Sequence, residues 1–197
     1  MSGPTWEALR RALHRHEAQR VESGGARAAV ALILRESEPA RIELLFIRRA
    51  EHDQDPWSGQ VGFPGGRAEV GDASLAATAV RETLEETAID LARHGEPIGA
   101  LDEVHALARG RPVDLVIAPF VYRLRGQHAG SPSPEAKSLH WLALERLLAP
   151  ASRSSFAYTH EGRSLALPCL RLDELVIWGL TFRMFSSLEG LLRTTAN

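Results

Sequence analysis

One arginine and three glutamates in this chain stand at spacings that can do chemistry, in the run Arg81-Glu82-Thr83-Leu84-Glu85-Glu86. If the run is helical, with about 100° between successive residues, Glu82, Glu85 and Glu86 fall within an arc of roughly 100°. Ala73, Ala77, Val80 and Leu84 gather opposite them, so the pattern predicts one packing face and one carboxylate face. Like charges three and four residues apart repel by a few tenths of a kcal/mol, by analogy with pairs worth about 0.2–0.5 kcal/mol. A hard divalent cation, Mg²⁺ or Mn²⁺, prefers oxygen ligands and bridges carboxylates to phosphates, which would turn that repulsion into a binding site. Such an ion neutralises charge growing on a phosphoryl group and acidifies water. Arg81 can hold one carboxylate in place through a two-pronged hydrogen bond. Taken alone, an acidic cluster is usually a solvated helix face. Here the approach to the helix, Gly65-Gly66-Arg67-Ala68-Glu69-Val70-Gly71-Asp72, adds two glycines that permit close backbone contact with a ligand.

The elements that must position these residues follow from local patterning. Ala73 to Thr87 has helical periodicity. Before it, Ala28 to Leu34 and Ile42 to Ile47 are apolar runs around a polar turn at Glu36 to Ala40, which predicts a hairpin. Arg48 to Gly66 is rich in turn formers, with a loop at Asp55-Pro56-Trp57-Ser58-Gly59 and a short extended piece at Gln60 to Phe63. Pro97 to Val104 and Asp114 to Leu124 are strand candidates, Gly126 to Pro134 is a loop, and Leu139 to Leu148 starts as strand and ends as helix. Leu175 to Leu192 reads as a C-terminal helix carrying Trp178, Met184 and Phe185. At the other end, Trp6, Leu9 and Leu13 share one side of a helix with Thr5 as its N-cap, and Gly24-Gly25 closes that region. The expected organisation is a helical extension over 1–25 and one domain over 26–197, of the α/β class, with a mixed sheet between helices.

Composition bounds the rest. The chain has 197 residues, 44% of them hydrophobic and 24% charged, and 23 basic against 25 acidic residues give a net charge of −2. That balance gives no general attraction to nucleic acid or to an anionic membrane. Cys169 is the single cysteine, so an intrachain disulfide and a cysteine-rich zinc site are excluded. No apolar stretch approaches the ~20 residues of a membrane-spanning helix and the N-terminus has no signal-peptide pattern, so the expectation is a cytoplasmic protein.

Taken together, the segment from Gly66 to Ile89 resembles the Nudix box, G-x5-E-x7-R-E-U-x-E-E-x-G-U, with U an aliphatic residue. Arg81-Glu82, Glu85-Glu86 and Ile89 match it. Asp72 stands at the first glutamate position with eight residues rather than seven before Arg81, Thr83 replaces an aliphatic residue, and Ala88 replaces the last glycine. The aspartate and the longer spacing resemble the coenzyme A pyrophosphatase branch, as does the lead-in from Arg48-Arg49-Ala50 to Gly59-Gln60-Val61-Gly62-Phe63-Pro64-Gly65-Gly66. Ala118-Pro119-Phe120-Val121 and Ile177-Trp178-Gly179-Leu180-Thr181 are similar to later segments of that branch.

The resemblance implies a Nudix-type α/β/α sandwich and metal-dependent attack of water on a nucleoside diphosphate linked to another moiety. Coenzyme A and ADP-ribose are molecules of that form. It further implies Glu82 and Glu86 as principal metal ligands, Glu85 as a ligand or water-holding base, and Arg81 as the group that orients them. Gly65 and Gly66 would contribute backbone contacts to metal or phosphate, and related proteins are commonly homodimers. Glu103 is a candidate general base, with a solvated strand-end acid as the alternative. Arg48 and Arg49 are candidates for phosphate binding or plain surface charges, and Trp57 for base stacking or loop packing. His52 and His105 sit in no metal-binding spacing. The alternative of a different class is a Nudix-fold module that binds a nucleotide without cleaving it.

Overall fold

The computed structural model describes residues 4–38, 41–51, 57–108, 111–160 and 163–195. His52, Asp55-Pro56 and the Ala40 end of the expected turn lie outside these residues.

Helix α1 (Trp6–Arg15) begins at Thr5, whose hydroxyl accepts from the Ala8 N–H, and it buries Leu9, Ala12 and Leu13. Strands β1 (Ala26–Glu38) and β2 (Arg41–Arg49) form the expected antiparallel pair, with β1 running on through Glu36. Two short strands follow, β3 (Val61–Gly62) against β2 and β4 (Gly65–Arg67) against β1. Helix α2 (Leu75–Thr87) is capped by Ser74, whose hydroxyl accepts from the Ala77 N–H at 3.1 Å. It stops at Ala88, which adopts φ 56° in the left-handed region where glycine is usual. The single turn α3 (Leu91–His94) leads into β5 (Gly95–Ala100), β6 (Val104–Ala108) and β7 (Arg111–Leu124). β8 (Ala136–Ala143) and α4 (Leu144–Leu148) give the strand-then-helix expected there. A second sheet holds β9 (Arg153–His160), β10 (Arg163–Leu172) and β11 (Leu175–Trp178), and α5 (Gly179–Thr195) closes the described chain.

The main sheet runs β3-β2-β1-β7-β5, with β4 on β1, β6 on β7 and β8 on β2. β1 and β7 are parallel, Ala28 facing Ile117 and Leu32 facing Val121, whereas the other pairings are antiparallel, so the sheet is mixed as expected. Alternation along β1 sends Ala28, Val30, Leu32 and Leu34 to a larger core shared with α1 and α5, and Ala29, Ala31 and Ile33 to a smaller one shared with α2. Among the described residues no helix is long and apolar enough to cross a membrane.

Two expectations need correction. Pro97 to Val104 is not one strand: β5 ends at Ala100, and the Leu101 N–H bonds the Pro119 carbonyl (2.9 Å) as the chain turns into β6. Leu175 to Trp178 is not helical, because β-branched and aromatic residues there pair with Leu172 to Cys169, and Gly179 at φ 63° makes the change to helix. The antiparallel pair of β9 and β10 is an addition to the expected elements.

Candidate functional site

The packing of α2 also differs from its helical wheel. The buried side chains are Thr78, Ala79, Thr83, Glu86 and Thr87, while Leu84 is 48% exposed. Small and hydroxylated residues line the sheet-facing side, where Thr83 and Thr87 satisfy their hydroxyls on the Ala79 and Thr83 carbonyls at 2.7 and 2.6 Å. The carboxylate arc therefore straddles the edge of the buried face. Glu86 lies inside it, Glu82 at its margin, and Glu85 outside, with side-chain exposures of 3%, 15% and 56%.

What turns α2 this way is its contact with β4. The Gly65 N–H donates to Glu86 Oε2 at 2.8 Å. The Glu82 carboxylate lies so close to Gly66 that a Cβ there would fall 2.4 Å from it, and a Cβ on Gly65 would fall 2.2 Å from the Ala29 carbonyl oxygen. The two glycines are thus required by close approach, of a carboxylate in one case and of the neighbouring strand in the other.

Arg81 organises the opposite side. Its Nε and Nη2 donate to the two oxygens of Asp72 at 3.0 and 3.1 Å, and its Nη1 donates to Glu82 Oε1 and Glu85 Oε2, both at 2.9 Å. Nη2 also reaches the Arg67 carbonyl at 3.1 Å. Asp72 in turn accepts from the Glu69 N–H and the Thr78 hydroxyl, which pins the loop ahead of α2 to the helix. The Arg81 guanidinium and these hydrogen bonds hold the Asp72 carboxyl well below the usual range, and the same ion pair raises the Arg81 pKa further.

Glu86 behaves in the opposite way. Burial pushes its pKa up to about 7, against the pull of the Gly65 N–H and of Arg49, whose Nη1 is 3.6 Å from Glu86 Oε1. The charges of Glu82 and Glu135 push in the same direction as burial. The Glu82 carboxyl is raised too, by burial first and with Arg81 opposing. Two carboxylates held at a cleft with less cationic compensation than their burial calls for are suited to an added cation.

Both line a cleft of about 480 Å³, together with Arg49, Gly65, Gly66 and Glu135. Phe63, Leu115, Ile117, Leu180, Met184 and Trp57 also wall it. Among the described residues no three His, Cys, Asp or Glu side chains form a metal-binding group. Mg²⁺ does not require one, since it is commonly held by one or two carboxylates together with water and substrate phosphates. Glu82 and Glu86 fit that donor set.

The remaining sequence candidates divide. Arg49 reaches the cleft, but Arg48 lies on the other face of β2, where its charge acts on His140. Glu103 is not part of the cleft lining: it pairs with Arg27 and accepts from the Val21 N–H at 2.7 Å, tying the segment after α1 to the sheet. Glu85 stays on Arg81, His105 is exposed, and Trp57 meets the larger core as well as the cleft. Sequence reasoning missed Glu135. Its carbonyl accepts from the Ala50 N–H at 2.8 Å, and the preceding loop is fastened to α2 by Ser133 N–H on the Glu86 carbonyl (3.0 Å) and Ser131 N–H on that of Thr87 (2.8 Å). No local pattern marks a lone glutamate in a polar loop as a cleft residue.

A family model described as the NUDIX domain matches residues 25–160. The chain is similar to an uncharacterized protein of Schizosaccharomyces pombe, 37% identical over 115 residues that make up 54% of this chain and 33% of that protein. It is also similar to an uncharacterized Nudix hydrolase, NudL, of Yersinia pestis, 50% identical over 64 residues, 32% of this chain and 30% of that protein. The chain spans about a third of the length of these curated relatives. Among solved structures, a MutT/nudix family protein from Enterococcus faecalis superposes with a TM-score of 0.54 over 96% of this chain and 68% of that one. At 19% identity that likeness is one of fold.

Proposed function

Because the chain belongs to the Nudix domain family, we propose that it is a divalent-metal-dependent pyrophosphohydrolase acting on a nucleoside diphosphate linked to a second moiety. The observation that carries this reading is the pair of a buried Glu86 and a partly buried Glu82, both lining one cleft, with Gly65 and Gly66 of β4 packed against them. Mg²⁺ or Mn²⁺, when bound, supplies neutralisation of the diphosphate charge and a more acidic water.

The protein's own groups do the positioning. Glu82 and Glu86 would hold the cation; Arg81 fixes Glu82 from one side, and the Gly65 N–H fixes Glu86 from the other. Arg49, 3.6 Å from Glu86 in the cleft, would balance charge on a phosphate oxygen. Water adds to one phosphorus and the bridging P–O bond breaks. The products are a nucleoside monophosphate and the phosphorylated second moiety, and the proton lost by water goes to a nearby carboxylate or to solvent. Glu135, facing Glu82 and Glu86 from a loop anchored at Ala50, is the cleft carboxylate outside the metal pair. Most of the rate enhancement then comes from orientation and charge.

Coenzyme A, which such a reaction would split into 3′,5′-ADP and 4′-phosphopantetheine, is the substrate we favour within this class. Its support is the eight-residue spacing between Asp72 and Arg81 and the lead-in through Gly59-Gln60-Val61. Wild-type protein is to be assayed with Mg²⁺ and with Mn²⁺ against coenzyme A, ADP-ribose, NADH, nucleotide sugars and nucleoside triphosphates. Release of a nucleoside monophosphate, or of 3′,5′-ADP, supports hydrolysis. Binding without release of product from any of them would make the protein a nucleotide-binding module instead.

A further inference from the structure

The last turn of α2 is completed by a distant strap of chain, Ser131-Pro132-Ser133-Pro134-Glu135. A helix leaves its final carbonyls without partners of its own. Here the Ser133 N–H donates to the Glu86 carbonyl at 3.0 Å, and the Ser131 N–H to that of Thr87 at 2.8 Å. Ahead of the strap stands Gly130, at φ 77° and so close to α2 that a Cβ would fall 2.9 Å from the Thr87 carbonyl oxygen. At its end, the Glu135 N–H donates to the Ser133 hydroxyl (3.2 Å) and the Glu135 carbonyl accepts from the Ala50 N–H (2.8 Å).

The residues of the strap match this bonding one by one. Ser131, Ser133 and Glu135 each use their N–H, and the prolines, which have none to give, stand between them. Each proline fixes its own φ and restricts the residue before it, so Ser131 to Pro134 have little backbone freedom to lose. Most of the strap is exposed, where a loop of ordinary composition opens readily. Its stiffness comes from the prolines rather than from burial. The bonds also close a short circuit through the site. Ala50, next to Arg49, is joined to Glu135, Ser133 is joined to Glu86, and Glu86 Oε1 lies 3.6 Å from Arg49 Nη1. The other oxygen of the Glu86 carboxylate accepts from the Gly65 N–H.

We propose that Pro132, Ser133 and Pro134 are positioning residues: the strap they form acts through the Glu86 main chain and holds the Glu86 carboxylate in place against Gly65 and Arg49. The proposal rests on the pyrophosphohydrolase reading only for its consequence in turnover, because strap, Glu86 and Gly65 are already joined in the metal-free protein. When the strap is loosened, Glu86 loses its fixed place while the strands beside it keep theirs.

Amide hydrogen exchange followed by NMR on the metal-free protein reads this directly. The Gly65 N–H is bonded to the Glu86 side chain, whereas the nearby Ala31 N–H is bonded to the Pro64 carbonyl and serves as the control. Replacing both prolines, Pro132→Gly with Pro134→Gly, keeps every donor and is expected to speed exchange at Ser133 about tenfold. Gly65 is expected to follow Ser133, and Ala31 to stay as in wild type. Gly130→Ala, which drives the start of the strap off Thr87, is expected to give the same pattern. With Mg²⁺ and a diphosphate substrate, both proteins are expected to lose kcat with KM unchanged. The proposal is overturned by an unchanged Ser133 amide, by an unchanged Gly65 amide beside a faster Ser133, or by full kcat in both variants. Equal acceleration at Gly65 and Ala31, as a merely structural role would give, overturns it too. The exchange pattern without hydrolysis of any diphosphate by wild type supports the strap while removing the hydrolase reading.

Discussion

Glu86→Gln separates what a buried carboxylate does for the reaction from what it does to the fold. In the metal-free protein burial raises the Glu86 pKa to about 7, from the 4.5 usual for a glutamate. A carboxyl raised in the folded state holds its proton there after the unfolded chain has released its own. The Glu86 contribution to stability is therefore fully present below about pH 4.5, is lost as pH rises from there to about 7, and stays lost above that. At about 1.4 kcal/mol per pH unit, the ionised carboxylate costs the fold roughly 3 kcal/mol at pH 8. Glutamine has the same shape, its Oε1 still accepts from the Gly65 N–H, and it carries no charge to desolvate. The variant is expected to match wild type near pH 4.5 and to exceed it by up to about 3 kcal/mol at pH 8, several degrees in Tm for a chain of this size. Urea and thermal denaturation in EDTA across pH 4.5 to 8.5 measure the difference directly. Mg²⁺ should then stabilise wild type and leave the variant almost unmoved. A Glu86→Gln protein no more stable than wild type at pH 8 would refute the claim that this carboxylate is held at the expense of the fold.

Other perturbations probe the supports of the site. Gly66→Ala puts a Cβ onto the Glu82 carboxylate, and the displacement is expected to cost about 100-fold in kcat with an unchanged circular dichroism spectrum; near-normal turnover would remove the close approach from the account. Arg81→Ala leaves Asp72, Glu82 and Glu85 without their shared donor, and is expected to destabilise by roughly 2–3 kcal/mol in urea titrations while abolishing activity. Ala88→Gly relieves a left-handed backbone at φ 56° and is expected to stabilise by about 1 kcal/mol; the same titration checks it.

The parts of this molecule legible from its residues are those whose determinants are local. Thr5 announces a helix start, the unbroken apolar run from Ala28 to Leu34 announces a buried strand, and the Gly65-to-Ile89 run carries its own spacing. The orientation of α2 was not legible, because apolar count on a wheel favours burying Leu84, whereas the contacts that win are tertiary: Gly65 on Glu86, Gly66 beside Glu82, and Asp72 on Arg81. For the same reason Glu85, equal to its neighbours in sequence, ends on Arg81 outside the cleft. Among the described residues of β9 and β10 most side chains from Arg153 to Tyr158 and from Ser164 to Pro168 are at least partly exposed, so burial imposes no alternating pattern on the sequence there. Glu135 and the α5 wall reach the cleft only through long-range packing, through Ala50 and Glu86 in one case and Val61 in the other.

The central claim is that Glu82 and Glu86 hold a divalent cation that cleaves a diphosphate bond. The most direct measurement follows product release from coenzyme A and the other diphosphates as Mg²⁺ or Mn²⁺ is titrated into wild type, Glu82→Gln and Glu86→Gln proteins of verified fold. The account predicts saturable, metal-dependent release of a nucleotide by wild type, and loss of at least about 100-fold in each variant, in the range expected when a group stabilising transition-state charge is removed. Turnover that persists in both variants, or that ignores the metal, would contradict it.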